Sequence, residues 1–354
     1  MASLNPDFRG ADEVIVPMNM RDLGGWAPND REIEAVMRER RGQNKLMEDM
    51  PVHTRFGSAD TIEPMPEMLA KWNEFQKSKG RYDGSCDWSL LDEFTFGKPL
   101  LWLPQIIGSC VVSNTFRGWV VRLNYQISIL GMAEEFLGKN EFGPNCLSFY
   151  GPWSYGAARK RANMRGSDGL YCEAMQSSLL KDGVMSCSTP ALLQILGKLK
   201  ADGERDLPEP QSESVYRSFG DWKYIDELRQ YADYTLEECP SISSVDDLKK
   251  ALTDCKPTFH CSMIAVKKAV THKDGFAIHK RDPNDKWAHN MEYQGYFIAS
   301  DGELFFRFSN ESWGPQHIYN VPYSEVDDWY RRRDVTSAAI GMIRAPKSAP
   351  VAIA

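Results

Sequence analysis

The sequence lacks any apolar run of membrane-spanning length, which would take about 20 consecutive apolar residues. Its first residues, MASLNPDFRGADE, also lack the charged segment and the apolar segment of a secretory signal. We therefore expect a cytoplasmic or virion-associated protein with no signal peptide and no membrane partner.

The paired cysteines of zinc sites are missing too. The chain has eight cysteines but no CxxC pair, and the adjacent His260 and Cys261 have no second pair nearby. No metal and no cofactor is therefore expected. In a reducing compartment most of the eight cysteines are predicted to be free thiols.

Long runs of positive charge are absent as well. The formal net charge is −7, and the short basic stretches at 38–41 and 331–333 are flanked by acidic residues. Such stretches are typical of solvated faces, so no nucleic-acid partner is expected. The Pro/Ala-rich stretch at 345–354 has no core of its own and is treated as a C-terminal tail.

Helical patterns occupy much of the chain up to residue 256. Stretches 30–41 and 66–78 are helix candidates, and a long helix is predicted from Cys110. Along it, six apolar residues recur at three- and four-residue steps, which predicts a helix buried on one side: Val112, Phe116, Trp119, Leu123, Ile127 and Leu130. Gly118 interrupts that helix and favours a close neighbour there.

Further helices are predicted at 155–164, at 168–181 before Gly183, and after Ser244, which has the spacing of a capping residue to Asp247.

The periodicity then changes to that of strands. Stretches 258–266, 288–299 and 303–310 read as strands, and Asp301-Gly302 predicts a hairpin turn between the last two. Helices followed by an antiparallel sheet predict an α+β fold.

Cys110 stands where a reactive thiol would be expected. It follows Gly108 and Ser109 at the start of the long helix, where the unpaired N–H groups and the helix dipole favour a thiolate. A cysteine can equally be a small buried apolar residue, so the position alone leaves both interpretations open.

His289 is the best candidate for the base that a thiol nucleophile needs. It lies in a predicted strand, whereas His279 lies in a charged loop and is weaker. The hairpin would return the chain from His289 to Asn310, whose side chain can orient an imidazole. Gln105 is placed to donate to an oxyanion.

Three segments together resemble the papain-like (C1-type) cysteine peptidases. PQIIGSC (104–110) resembles the family's segment ahead of its central helix, AHNMEYQGY (288–296) its histidine strand, and FSNESWG (308–314) its Asn-Ser-Trp-Gly turn. The elements between them come in the family's order, and the resemblance spans about residues 95 to 345.

The resemblance implies a two-lobe fold, one lobe helical and the other an antiparallel β-barrel-like sheet, with the cleft between them. It implies Cys110 as nucleophile, His289 as base and then acid, Asn310 as the orienting residue and Gln105 as the oxyanion donor. Trp313 would shield the Asn–His hydrogen bond. The expected partner is a polypeptide substrate.

Several residues depart from the family pattern. Gln105 is one residue closer to the cysteine, Val111 replaces a tryptophan, and Asn290 and Glu292 are polar where apolar residues are usual. The turn also carries one extra residue. Counting back from Trp313 would put Glu311 in the asparagine's place, whereas strand alternation favours Asn310 with Glu311 in a bulge.

Two functions remain open from the sequence. One is an active cysteine peptidase, with domain 96–344 and an N-terminal extension 1–95 that is either a pro-region or an assembly arm. The extension lacks the family's spaced propeptide pattern. The other is a papain-fold structural protein of a homo-oligomer or large assembly, such as a virion component, with weak or no activity.

Overall fold

The computed structural model describes residues 66–79, 88–97, 105, 107–132, 136, 149–166, 168–186, 189, 191–199, 212–232, 234–310 and 317–344. The predicted helix at 30–41 and the tail at 345–354 lie outside these residues. The helices are α1 Pro66–Ser78, α2 Trp88–Phe96, α3 Cys110–Ser128, α4 Gly151–Arg161, α5 Cys172–Lys181, α6 Ala191–Leu199, α7 Glu213–Gly220, α8 Ile225–Leu228, α9 Val245–Thr253 and α10 Tyr323–Arg331. The strands are β1 Thr235–Leu236, β2 Ser241–Ile242, β3 Thr258–Ser262, β4 Val266–Thr271, β5 Ala277–Arg281, β6 His289–Ile298, β7 Leu304–Ser309, β8 Ile318–Pro322, β9 Val335–Ala339 and β10 Ile343–Arg344.

The α+β class is confirmed. Helices α3 to α8 come first, and β2 to β9 form one eight-stranded sheet in the order β2-β9-β3-β6-β7-β8-β5-β4. Neighbouring strands are antiparallel except for β5 and β8, which are parallel. The sheet is therefore mixed and open, with β2 and β4 at its edges, rather than a closed barrel.

Helix α3 begins at Cys110, as the apolar pattern predicts, and is the central element of the fold. It is buried on nearly all sides and not on one side only. Its predicted apolar stripe packs with α4 and α5, its sheet-facing side contacts β6, and Val121 packs with α1 and α2. A sequence pattern shows the apolar face alone, so the polar residues buried on the other faces were not predicted.

Gly118 allows the sheet lobe to approach α3 closely. A Cβ atom there would lie 2.9 Å from Ile340 Cδ1, 3.0 Å from Glu292 Oε1 and 3.1 Å from Pro257 Cβ. The close neighbour expected at this helical glycine is therefore present.

Helix α1 has the predicted bounds 66–78, whereas two other helix starts lie four residues from their predicted positions. Helix α4 starts at Gly151 rather than 155, and α5 at Cys172 rather than 168, because residues 168–171 are irregular with Gly169 at φ 107°. Gly183 has the expected positive φ of 81°. Ser244 caps α9 by accepting from the Asp247 N–H.

The predicted strand at 258–266 is divided. Strand β3 ends at Ser262, and β4 begins at Val266 after a bend. Strands β6 and β7 form the expected hairpin, with Gly302 at φ 87° in its turn.

The two faces of β6 contact different layers. Met291 and Tyr293 pack into a core with α9 and α10. On the other face, Asn290 and Glu292 lie against α3. The sheet therefore lies between α3 on one side and α9 and α10 on the other.

Helices α1 and α2 are packed on the back of α3. Trp72 and Leu91 form an apolar cluster with Val121 and Ile129. Asp92, fully buried, pairs with the buried Arg117 and accepts from Asn124 Nδ2 at 3.3 Å. The described residues between 66 and 97 thus share a core with the rest of the chain. The division of the chain at residue 95 stays a prediction.

Replacing Asp92 with alanine should lower the free energy of unfolding by about 3–5 kcal/mol, because Arg117 would keep its buried charge without this partner. The neighbouring Glu93→Ala is a matched control, since its partner Lys79 is 39% exposed and such pairs contribute about 1 kcal/mol or less. Urea unfolding of both variants measures the difference. If both variants lost the same free energy of unfolding, the buried Asp92–Arg117 pair would contribute no more than the exposed Glu93–Lys79 pair.

The expectation of mostly free thiols is wrong for the described cysteines. Cys172 and Cys261 form a disulfide across 89 residues, and Cys255 is also disulfide-bonded, while Cys110 and Cys239 are free. The disulfide joins α5 of the helical lobe to β3 of the sheet. Partners so distant in sequence carry no spacing signal, so this pairing could not be predicted from the sequence.

Loop-closure entropy for 89 residues predicts that replacing Cys172 and Cys261 together by alanine lowers the free energy of unfolding by about 4–5 kcal/mol. Urea unfolding without reductant measures this loss. Cys239→Ala is the control, because it removes a buried thiol that forms no disulfide. If the double variant lost no more than this control, the cross-link would contribute nothing to stability.

Candidate active site

Cys110 is the first residue of α3. Ser109 precedes it as the N-cap residue, and the Ser109 carbonyl accepts from the N–H groups of Val112 and Ser113. A tight turn in which Ser109 N donates to Ile107 O at 2.6 Å leads into the helix. The Cys110 side chain is fully buried. The sequence thus predicts both the helix start and the position of the thiol at it.

His289 and Asn310 lie together at the open end of the β6–β7 hairpin. His289 is the first residue of β6, and Asn310 follows the last residue of β7. The distance from His289 Nε2 to Asn310 Oδ1 is 2.6 Å. Asn310 is held in turn by its backbone N–H, which donates to His317 O at 2.8 Å. The hairpin turn predicted from the sequence explains how residues 21 positions apart meet.

The tautomer of the His289 ring follows from this contact. An amide oxygen only accepts hydrogen bonds, so Nε2 must carry the proton that it donates to Asn310 Oδ1. In the neutral ring the lone pair is then on Nδ1, and Nδ1 is the basic atom.

Burial controls the charge of His289. It lowers the pKa of His289 to about 4, against an upward contribution from the Asn310 hydrogen bond and a further lowering by His317. The imidazole is therefore neutral at neutral pH, which is the form that can accept a proton.

Asn114 joins the start of α3 to the start of β6. Its Nδ2 lies 3.2 Å from the carbonyl oxygen of Cys110 and 2.6 Å from that of Asn290. Asn290 directly follows His289 in the chain. One side chain thus contacts the main chain of Cys110 and of the residue next to His289. No motif in the sequence marks Asn114.

Asn290 also contacts the disulfide between the lobes. Its Nδ2 lies 3.5 Å from both Cys172 Sγ and Cys261 Sγ. In the sequence Asn290 is only a polar departure from an apolar pattern. In the structure it lies between the disulfide and the Asn114 amide.

The other described histidines have different surroundings. His279, the weaker candidate, lies in strand β5 and not in the predicted charged loop. Its Nδ1 accepts from Asn320 N at 3.3 Å, and burial lowers its pKa. His260 packs against Tyr293 and Phe308. His272 contacts Asp301 at 2.8 Å near the hairpin turn. None of these contacts involves Cys110.

Tyr155 is a buried group near the thiol that the sequence did not suggest. Its hydroxyl accepts from Gly169 N at 3.1 Å. Burial raises the pKa of Tyr155, and a negative charge on Cys110 would raise it further.

The remaining predicted site residues are less defined. Gln105 is half-buried, five residues before Cys110, and its oxyanion role stays a prediction. Glu311 and Trp313 lie outside the described residues.

Within the described ranges, no cluster of three or more His, Cys, Asp or Glu side chains is arranged to hold a metal ion. The described helices also include none with the length and hydrophobicity of a membrane span.

A cysteine protease and two procathepsins are among the solved structures that align with this chain. No protein-family model and no curated protein matches the sequence. Xylellain, a cysteine protease from Xylella fastidiosa, is 16% identical with a TM-score of 0.45, over 80% of this chain and 91% of that one. Procathepsin L 3 of the Tenebrio molitor larval midgut is 14% identical with a TM-score of 0.40, over 86% and 99%. The proCathepsin B S9 of Trypanosoma congolense is 12% identical with a TM-score of 0.38, over 70% and 72%.

Stability should fall between pH 7 and pH 5, because burial holds the pKa of His289 at about 4 and that of His260 at about 3. The unfolded state takes up these protons near pH 6.5 and the folded state does not. Each histidine therefore lowers the free energy of unfolding at pH 5 by about 2 kcal/mol.

The variant His260→Phe keeps a ring between Tyr293 and Phe308 and removes one titrating group. Its loss of stability between pH 7 and pH 5, measured by urea unfolding, should be smaller than that of the unmodified chain by about 2 kcal/mol. Identical losses in the two proteins would show that the buried His260 does not titrate in this way.

Proposed function

We propose that this chain is a papain-like cysteine peptidase that hydrolyses peptide bonds of a polypeptide substrate through an acyl-enzyme on Cys110. The observation that carries the proposal is the 2.6 Å contact between His289 Nε2 and Asn310 Oδ1. This contact lies at the start of β6, which Asn114 links to the first turn of α3. A thiol at a helix start, a neutral imidazole and an orienting amide are the parts that nucleophilic catalysis by cysteine requires.

The register between α3 and β6 supports pairing of Cys110 with His289. Asn114 contacts residue 290, Gly118 lies against residue 292, and Val121 borders a small cavity with residue 294. Three or four residues of helix rise about 4.5–6 Å and two residues of strand about 6.6 Å, so the two elements run alongside each other in the same direction. From the Asn114–Asn290 contact, four residues back along the helix lead to Cys110. Two residues back along the strand lead to residue 288, next to His289.

The proposed reaction follows from these groups. His289 Nδ1 takes the thiol proton as Cys110 Sγ attacks the carbonyl carbon of the scissile peptide bond. The tetrahedral oxyanion is stabilised by the Cys110 backbone N–H and the Gln105 side chain. The C–N bond then breaks, the amine leaves with the proton from His289, and a thioester remains. Water, deprotonated by His289, cleaves the thioester and restores the thiol.

Access to the thiol requires a conformational opening. Cys110, His289 and Asn310 are at most 1% exposed in this conformation. A polypeptide therefore reaches the thiol only after the groups covering it move.

In the proposal, residues 1–95 are a pro-region-like extension of the domain at 96–344.

A structural or virion role is the alternative. No contact within the described ranges points to it, whereas the contact of His289 with Asn310 is one that catalysis by cysteine uses. We therefore keep the peptidase as the proposal.

Limiting iodoacetamide at pH 7 should label Cys110 before Cys239, the other free described thiol. Burial raises the pKa of Cys239, and Glu238 raises it further, so that thiol stays protonated. His289→Ala should slow labelling of Cys110 at least about tenfold, since removing a catalytic base costs about 10²–10⁴-fold in full catalysis. Peptide mapping by mass spectrometry gives the rate at each cysteine.

Two further variants test the alignment of the 310–314 turn. Asn310→Ala should slow labelling less than His289→Ala, because it removes only the group that orients the ring, and Glu311→Ala should have little effect. The reverse order would assign the orienting role to Glu311. If Cys110 in the folded protein labels no faster than Cys239, the thiol is structural and the peptidase proposal fails.

A further inference from the structure

We infer that Asn114 is a positioning residue for Cys110 and His289, because its single amide group bridges the main chains of Cys110 and Asn290. This inference rests on the proposed function. Asn114 touches no reacting atom, and its effect is on the relative position of the two elements that carry them.

The hydrogen bonding capacity of the amide matches its surroundings. An asparagine NH₂ group has two protons, and Asn114 Nδ2 has two carbonyl oxygens in reach, at 3.2 Å and 2.6 Å. Asn114 and Asn290 are both at most 1% exposed, so water does not compete for these bonds. Without Asn114, the Asn290 carbonyl would lose a buried donor.

The acceptors are main-chain atoms, which gives the bridge its positional effect. A bond to a side chain can be kept through a change of rotamer, whereas a bond to a carbonyl fixes the backbone itself. The bridge therefore restrains the backbone of Cys110 against the backbone one residue beyond His289.

The far side of Asn290 is restrained as well. Its side chain lies against the Cys172–Cys261 disulfide, and its backbone pairs with Cys261 in the β3–β6 ladder. The start of β6 is thus fixed to the sheet and the disulfide, and the Asn114 bridge fixes α3 to the start of β6. A displacement of about 1 Å between reacting groups can cost about 10²-fold in rate.

The chain offers a matched control on the same helix. Gln126, also fully buried, donates from Nε2 to Ile343 O at 2.9 Å and accepts from Ile343 N at 2.8 Å. Its amide ties α3 to the main chain of β10, which pairs with β1, as the Asn114 amide ties α3 to the main chain of β6. It lies 16 residues from Cys110, which is about 24 Å along a helix.

The experiment compares Asn114→Ala, Asn114→Ser and Gln126→Ala in the full chain. For each, the melting temperature and the rate of Cys110 alkylation by iodoacetamide are measured between pH 4 and pH 9. The dependence of this rate on pH, called the profile below, reports the coupled protonation of Cys110 and His289. Their titratable neighbours are His260, His317 and Tyr155.

Asn114→Ala should slow Cys110 alkylation at pH 7 at least about tenfold and move the acidic limb of its profile upward, towards that of an ordinary cysteine. Asn114→Ser retains one donor and should recover part of the rate. Gln126→Ala should lower the melting temperature but leave the profile unchanged. The serine variant keeps the test valid if the alanine variant does not fold.

Two results would separate the inference from the proposed function. If Cys110 in the unmodified chain is no more reactive than Cys239, the proposed function fails. If Cys110 is selectively reactive but Asn114→Ala and Gln126→Ala give the same profile as the unmodified chain, the proposed function stands and the positioning role of Asn114 is overturned. A shifted profile in Gln126→Ala equal to that in Asn114→Ala would also overturn it.

Discussion

The parallel alignment of α3 with β6 is the contact on which the rest of the structure depends. Asn114 and Gly118 on the helix lie against Asn290 and Glu292 on the strand, and the candidate nucleophile and base are at the same end of both elements. Each element is also the centre of its own lobe. The contact between them therefore determines both how the lobes pack and where Cys110 lies relative to His289.

This interface is polar where an apolar one would be simpler to fold. Asn290 and Glu292 are buried, and burying a polar group costs free energy unless hydrogen bonds or charges compensate it. At Asn290 the main-chain carbonyl takes one amide proton from Asn114, and at Glu292 the facing Gly118 leaves room for the side chain. Apolar side chains would hold the lobes together in several registers, whereas these contacts favour one.

The sequence predicted the parts that local patterns control. The three-and-four-residue spacing from Val112 to Leu130 gave α3 and its start at Cys110, and Asp301-Gly302 gave the hairpin that brings Asn310 to His289. It did not predict the Cys172–Cys261 disulfide or the Asn114 bridge. Both join residues more than 80 positions apart, and neither partner has a spacing or a period that marks it. The parallel pairing of β5 with β8 was missed for the same reason, since it depends on where the chain returns after the hairpin.

Burial has opposite effects on the two halves of the proposed reaction. It keeps the His289 imidazole neutral and so able to accept a proton, because desolvation lowers the pKa of the ring. The same burial covers Cys110 and so separates the thiol from any peptide. Opening the site would admit substrate and also rehydrate the ring, which raises its pKa towards the ordinary value of about 6.5 and strengthens it as a base. The movement that exposes the thiol would therefore also adjust the base to the reaction, so in the proposed peptidase access and reactivity are coupled through the solvation of one histidine.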